Sequence, residues 1–349
     1  MDLSVMFFGA DDGASDHVTA YQDVLDIARE ADELGYAAVW VPERHFQSVG
    51  RIFPNPVVLG AALAAVTRRI GIRAGSVVVP LHHPVRIAED WAVVDNISRG
   101  RVGLCAATGW HSTDFVLAPE RYEDRRAYTT ETIGLLRRLW AGEGIELPDG
   151  TGKPVTVCPQ PRPVSTGLPL WMVSSGSTAT WETAGRLRTG VLAATTGETP
   201  QSLAEKIGLY REAYAAAPPQ PNTPERGTVT LMAHAHVGTD AAEARRRASA
   251  PLRSYLRSHV LQMGSSRSAD GVRRSGMTED EIAVMTEFAM RRYLNWGALV
   301  GSPETCRDFL AELRALGCDE VACFVDFGLP RQDILSSLRL LAEIGKEAS

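Results

Sequence analysis

Short apolar runs and amphipathic stretches alternate along this chain of 349 residues, regularly enough to set a fold class. Leu3–Phe8, Ala37–Val41, Ile70–Val79, Val102–Thr108, Leu170–Val173, Gly190–Ala194, Thr228–Val237 and Glu320–Val325 are rich in β-branched or small apolar residues. Their length and their Gly, Pro, Asp and Ser punctuation predict buried strands. Between them, apolar residues recur three and four positions apart, as Val24, Ile27, Ala28 and Ala31 do within Tyr21–Leu34. That spacing predicts helices with one buried face. The clearest unit is Arg69–Trp110. Its first strand ends at Pro80, and Pro84 opens a helix whose face carries Ile87, Trp91, Val94 and Ile97. Ser98-Arg99-Gly100 stops that helix just before the second strand. Strand, helix, strand is a crossover unit, which makes the two strands parallel.

The same alternation continues, with helices at Val57–Thr67, Arg125–Trp140, Thr199–Ala215, Thr278–Leu294, Ser302–Leu316 and Asp333–Ile344, and others starting near Thr178 and Asp240. Eight strands alternating with helices in one compositional block predict an α/β fold: a (β/α)8 TIM barrel forming a single domain over residues 1–349. The Gly- and Pro-rich stretch 142–169 predicts an excursion, read as a hairpin, and 261–277 has the composition of a mobile segment. A doubly wound sheet is the alternative, but no G-x-G-x-x-G follows the first strand.

Composition narrows the partners. A formal charge of −6 offers no basic excess for phosphate neutralisation, which argues against nucleic acid and anionic membranes. The Arg245-Arg246-Arg247 cluster lies in an Ala/Glu-rich helical stretch and reads as a solvated face. No signal-like amino terminus and no run of 18 apolar residues occurs, so a cytoplasmic location is expected. Five scattered cysteines form no C-x-x-C pair, which predicts reduced thiols. Cys105, on a central strand, reads as a small buried apolar residue.

On a barrel, chemistry gathers at the carboxyl ends of the strands. Those ends carry Glu43 and His45, His82 and His83, Thr108 to His111, Ser174 to Thr178, Thr195 and Thr196, His236, and Asp326. Ser174-Ser175-Gly176-Ser177-Thr178 places four hydroxyls and free N–H groups at a helix start, which suits an anion as well as it suits an ordinary cap. No metal site is expected. The histidines are scattered, carboxylates are sparse, and the one H-x-H, His234 and His236, lies on the seventh strand.

In this order and spacing, several motifs resemble bacterial luciferase and its flavin-dependent relatives. They are Pro42-Glu43-Arg44-His45-Phe46, Asn55-Pro56, the H-P-V-R-I-A-E-D run ending at Asp90, Arg99-Gly100-Arg101, Asp114-Phe115, and Val173 through Thr178 to Trp181. The opening S-V-M-F-F-G, the P-L-H-H-P and G-W-H-S-T-D-F runs, and the late C-F-V-D-F-G are similar to one branch: luciferase-like monooxygenases encoded beside polyketide and nonribosomal-peptide assembly lines.

The resemblance implies a barrel that takes reduced FMN from a separate flavin reductase and reacts it with O2 through a flavin C(4a)-peroxide. The substrate implied is a secondary-metabolite intermediate, either a free small molecule or one bound to a carrier protein. It implies His45 as the catalytic acid/base and Ser174, Ser175, Gly176, Ser177 and Thr178 as the phosphate site. Thr108 stands where luciferase has a basic residue, offering a hydrogen bond but no charge. The reactive cysteine of luciferase falls at Ala107, so no thiol role transfers to Cys105. Gly75-Ser76 falls where relatives have a non-prolyl cis peptide and a bulge beneath the flavin. His111, Thr195 and Thr196 are expected on the substrate wall, and Arg267, Arg273 and Arg274 on a lid. A homodimer is expected through the second and third helices, with Ala61–Ala65 and Trp91 at the contact. The competing expectations are a deazaflavin-dependent dehydrogenase or reductase and a non-catalytic flavin-binding partner subunit.

Overall fold

The computed structural model describes residues 1–9, 17–47, 50–265 and 278–347. In chain order the elements are β1 (Asp2–Met6), α1 (His17–Leu34), β2 (Ala38–Val41), α2 (Pro56–Val66), β3 (Gly71–Val78), α3 (Pro84–Ser98), β4 (Val102–Ala107) and α4 (Arg125–Ala141). Then follow β5 (Ile145–Pro148), β6 (Pro154–Val157), β7 (Leu170–Ser174), α5 (Thr178–Arg186), β8 (Gly190–Ala194), α6 (Pro200–Ala216) and β9 (Val229–Val237). The last are α7 (Ala241–Ser265), α8 (Glu279–Asn295), β10 (Leu299–Gly301), α9 (Pro303–Ala315), β11 (Glu320–Phe324) and α10 (Arg331–Glu347).

β11, β1, β2, β3, β4, β7, β8 and β9 pair in parallel in that order, and β9 returns to β11, closing an eight-stranded barrel. These are the eight strands that the apolar runs predict. The α3 boundary also agrees: Arg99 and Gly100 adopt positive φ of 61° and 84° just past Ser98. β5 and β6 pair antiparallel, which makes the Gly/Pro-rich excursion a hairpin beside the barrel. β10 was not expected. It extends the sheet beside the upper half of β9, Leu299 opposite Ala235, where β8 no longer reaches.

Alternate residues of each strand point into the barrel, and they fill it from below. Near the amino-terminal end, Arg73 Nη1 donates to both oxygens of Glu320 at 2.9 and 2.7 Å, while Ser4 Oγ and Trp40 Nε1 donate to Oε1 at 2.6 and 3.1 Å. The Arg73 guanidinium lies against both the Trp40 and Trp171 rings, 4.9 and 4.7 Å from their centroids, and the two rings meet edge-on at 5.1 Å. Gly103 and Gly190 make room for Trp171: a Cβ on either would fall 2.9 or 2.4 Å from that ring. Above this layer pack Met6, Cys105, Leu192, Met232, Ala322 and Phe324, all buried. Burial holds the Cys105 thiol well above its ordinary range, so it is an inert filler.

One expected surface residue is an interior one. Trp91 is 2% exposed and lies across α2, with its ring 3.4 Å from where a Gly60 Cβ would sit. Its helical spacing reports packing of α3 on α2 within one chain.

Candidate functional site

With the lumen filled, chemistry is confined to the carboxyl-terminal mouth, where the chain leaves β2 as Pro42-Glu43-Arg44-His45-Phe46. The Glu43 side chain has no exposure, and its Oε2 accepts the Val78 N–H at 2.7 Å. Its Oε1 accepts from His45 Nε2 at 2.9 Å and from His82 Nε2 at 2.7 Å. Burial pushes the Glu43 carboxyl up, but the two imidazoles, the His82 charge and the Val78 N–H outweigh it and hold the group below its ordinary value. His82 is shifted oppositely: burial pulls it down, and the Glu43 hydrogen bond and charge carry it above the usual imidazole range. An ionised carboxylate only accepts, so each ring presents Nε2–H to Glu43. This leaves Nδ1 of His45 as the ring atom able to take up or pass on a proton. His82 is fixed in turn through its carbonyl, which accepts from Arg121 at 2.8 Å and Tyr128 at 3.1 Å.

Beside this array, at the top of β3, the Gly75–Ser76 peptide is cis and the pairing with β4 slips between Gly75 and Val77. Both features were expected at that position. From β4 come Thr108, half-buried, and the loop carrying His111 and Asp114. The His111 ring lies 3.6 Å from the Trp110 ring, and its buried Nε2 has no hydrogen-bond partner. Burial, with help from the Arg44 charge, lowers His111 to about 4. Asp114 is buried with an unpartnered Oδ1, and burial raises it to about 6 against the pull of His45 and Arg44.

Around the rim, β7 ends in Ser174 and α5 begins at Thr178. Ser174 Oγ is buried and accepts the Gly176 N–H at 3.4 Å, whereas Ser175, Ser177 and Thr178 are exposed. The cap residue Ser177 makes no side-chain hydrogen bond to the helix; its carbonyl takes the Thr180 N–H at 3.1 Å, which leaves the N–H groups of Thr178 and Ala179 for an anion. Glu198, held by Lys206 at 2.5 Å and Ser202 at 2.8 Å, stands behind Gly176. Thr195 is 1% exposed and donates to the carbonyls of Gly297 at 2.6 Å and Met232 at 3.0 Å. Its hydroxyl therefore clasps the loop before β10 and is not free to face a ligand; Thr196 beside it is half-buried. Arg267, Arg273 and Arg274 lie outside the described residues.

The sequence profile of the luciferase-like monooxygenases matches residues 1–320. The chain belongs to this family. It is therefore an oxidoreductase. This luciferase-like monooxygenase is 25% identical over 337 residues to the oxygenase component of a flavin-dependent trigonelline monooxygenase of Acinetobacter baylyi, covering 93% of this chain and 89% of that one. The fold is shared with the monooxygenase RslO1 of Streptomyces bottropensis (TM-score 0.81, 24% identity, 100% and 99% of the two chains). More distant structures share it too. One is the oxygenating constituent of 3,6-diketocamphane monooxygenase of Pseudomonas putida in complex with FMN (TM-score 0.75, 17% identity, 98% and 97%). Another is an F420-dependent secondary alcohol dehydrogenase (TM-score 0.72, 15% identity, 99% and 98%).

Sequence reasoning about this luciferase-like monooxygenase gave a catalytic role to His45 alone; Glu43 and His82 stood among the strand-end residues, and Arg44 and Asp114 within the motifs, without one. The signal for Glu43 was present: two residues apart on an extended segment, Glu43 and His45 face the same side.

Proposed function

We propose that the chain is the oxygenase component of a two-component system. It takes reduced FMN from a separate flavin reductase and transfers one atom of O2 to a secondary-metabolite intermediate, free or carrier-bound, the other atom leaving as water. The supporting observation is the pairing, around one mouth, of a carboxylate-fixed imidazole with an uncapped, hydroxyl-lined helix start. Reduced FMN, when bound, supplies the two electrons that activate O2. Ser175 and Thr178 would hold the phosphate with the open N–H groups of α5, Ser174 and Ser177 would shape that turn, and Gly75–Ser76 would support the ring. Thr108 would add a neutral hydrogen bond. His45 Nδ1, at a mouth closed from below, would move the proton that oxygen transfer requires.

The test is anaerobic titration with reduced FMN and with reduced F420, followed by mixing with O2. Micromolar reduced-FMN binding and a reoxidation rate unlike that of free flavin are expected. Selective F420 binding without O2 uptake would replace this reading with the dehydrogenase one. Ser175→Ala/Thr178→Ala is expected to weaken FMN binding about tenfold or more, since each hydrogen bond to a charged phosphate contributes about 1.5–3 kcal/mol. Riboflavin, lacking the phosphate, should bind the variant and the parent alike.

A homodimer through the outward strip of α2 and α3 completes the proposal. Val58 on α2 and Val93 and Ile97 on α3 are large apolar residues left 66%, 43% and 45% exposed. Val58→Asp/Val93→Asp is expected to shift the sedimentation coefficient from dimer to monomer; an unchanged value would place the interface elsewhere.

A further inference from the structure

Arg44 is a cation at the mouth whose charge the described residues leave without an ion-pair partner. Among the described residues its guanidinium donates no hydrogen bond and makes no ion pair, and its Nη1 is sealed from solvent. Its Cζ lies over the Phe8 ring, 3.6 Å from the centroid. The fold accommodates it there: Gly50 leaves the space for its stem, since a Cβ would stand 3.0 Å from both Cγ and Cδ of Arg44. Asp114 and Asp326 are near enough for their charges to bear on Arg44, yet neither bonds to it. Asp326 instead accepts the N–H groups of Phe8 at 2.8 Å and Gly9 at 2.7 Å.

Two more orphaned atoms face the same problem. His111 Nε2 and Asp114 Oδ1 are buried without partners on the loop after β4, and the Arg44 charge acts on both groups. Buried polar atoms are normally paired, so orphans around one mouth indicate a ligand; an acidic oxygen answers the Arg44 donor, while Asp114 Oδ1 calls for a donor group on the same ligand. The walls are aromatic. Phe8 meets Tyr255 edge-on at 5.9 Å, and Trp110, 49% exposed, lies tilted against His111. The hydroxyl-rich turn on β7 is three strands from β2, so the two anion-accepting features are separate.

We propose that Arg44 is the substrate's anion receptor, and that this site takes a flat aromatic or conjugated molecule bearing an acidic oxygen (a carboxylate, phenolate or enolate). The planar guanidinium fork suits a planar oxyanion, and the aromatic walls suit the frame that carries it. This rests on the mouth being the oxygenation site proposed above, and it makes Arg44 a specificity-determining residue. The experiment is isothermal titration of the full chain with 2-naphthoate and with its neutral counterpart 2-naphthamide, using wild type, Arg44→Met and Arg44→Lys. Wild type should prefer the acid by about tenfold or more. Arg44→Met should lose the preference, Arg44→Lys should keep part of it, and reduced-FMN affinity should change less than about threefold. Equal binding of acid and amide by the wild-type chain, a comparison that needs no variant to fold, would overturn the proposal. So would an Arg44→Met chain that keeps the preference but loses reduced FMN, which would give the cation to the flavin. Acid preference in a chain that binds no flavin would uphold the receptor and sink the oxygenase reading.

Discussion

Replacing His45 with alanine is expected to lower oxygenation turnover by about 10²–10⁴-fold, the usual contribution of a positioned acid–base group. Reduced-FMN affinity should stay near the parent value. The reason lies in the Glu43 array: with Nε2–H of His45 committed to Glu43 at 2.9 Å, Nδ1 is the atom left for proton transfer. The measurement is kcat under saturating flavin together with the reoxidation rate of bound reduced FMN; a fall of less than about threefold would move proton transfer to another group, Asp114 first. Glu43→Gln should give a smaller loss with a distinct pH signature. Glu43 has a depressed value when folded, so its contribution to stability is complete above the ordinary carboxyl value of 4.5 and is lost as pH falls through the depressed one. His82 has a raised value, so its contribution is complete below 6.5 and is lost as pH rises through the raised one. The stability gap between wild type and Glu43→Gln should therefore be widest between these two values and narrow on either side.

The second large effect belongs to the floor of the barrel. Arg73→Met is expected to destabilise the protein by about 3–5 kcal/mol, because it strands the Glu320 carboxylate, which is 3% exposed, without its cation. The Arg73→Met/Glu320→Gln double variant should recover most of that loss, since it removes both charges from the same buried layer. Urea denaturation of the three variants measures this directly. Equal losses in the single and the double variant would mean that packing of Arg73 against the two tryptophans, and not charge, holds the floor.

The barrel was readable because its strands are buried on both faces, so each appears as a run of Val, Ile, Leu and Ala. β10 was not readable: three residues, Leu299–Gly301, cannot display a period. Trp91 shows the limit of spacing arguments, since a helix face that packs on its own chain has the same pattern as one that packs on a partner. The hydroxyl cluster at the start of α5 and the Gly75–Ser76 position were legible because neighbouring residues carry them. Glu43 with Val78 and His82 was not, because the carboxylate bonds groups 35 and 39 residues away that only the β2–β3 pairing brings near. Thr195 illustrates the same thing in reverse. At a strand end it resembled a ligand-facing hydroxyl, but a carbonyl 102 residues later takes it.

The two tryptophans and the ion pair beneath the site make the barrel a cup and not a pipe. Visitors enter and leave over the same rim, so the ligand seated deeper must arrive first and depart last. Steady-state kinetics on such a vessel should be ordered, and an excess of the shallower ligand should trap the deeper one, slowing turnover at high concentration.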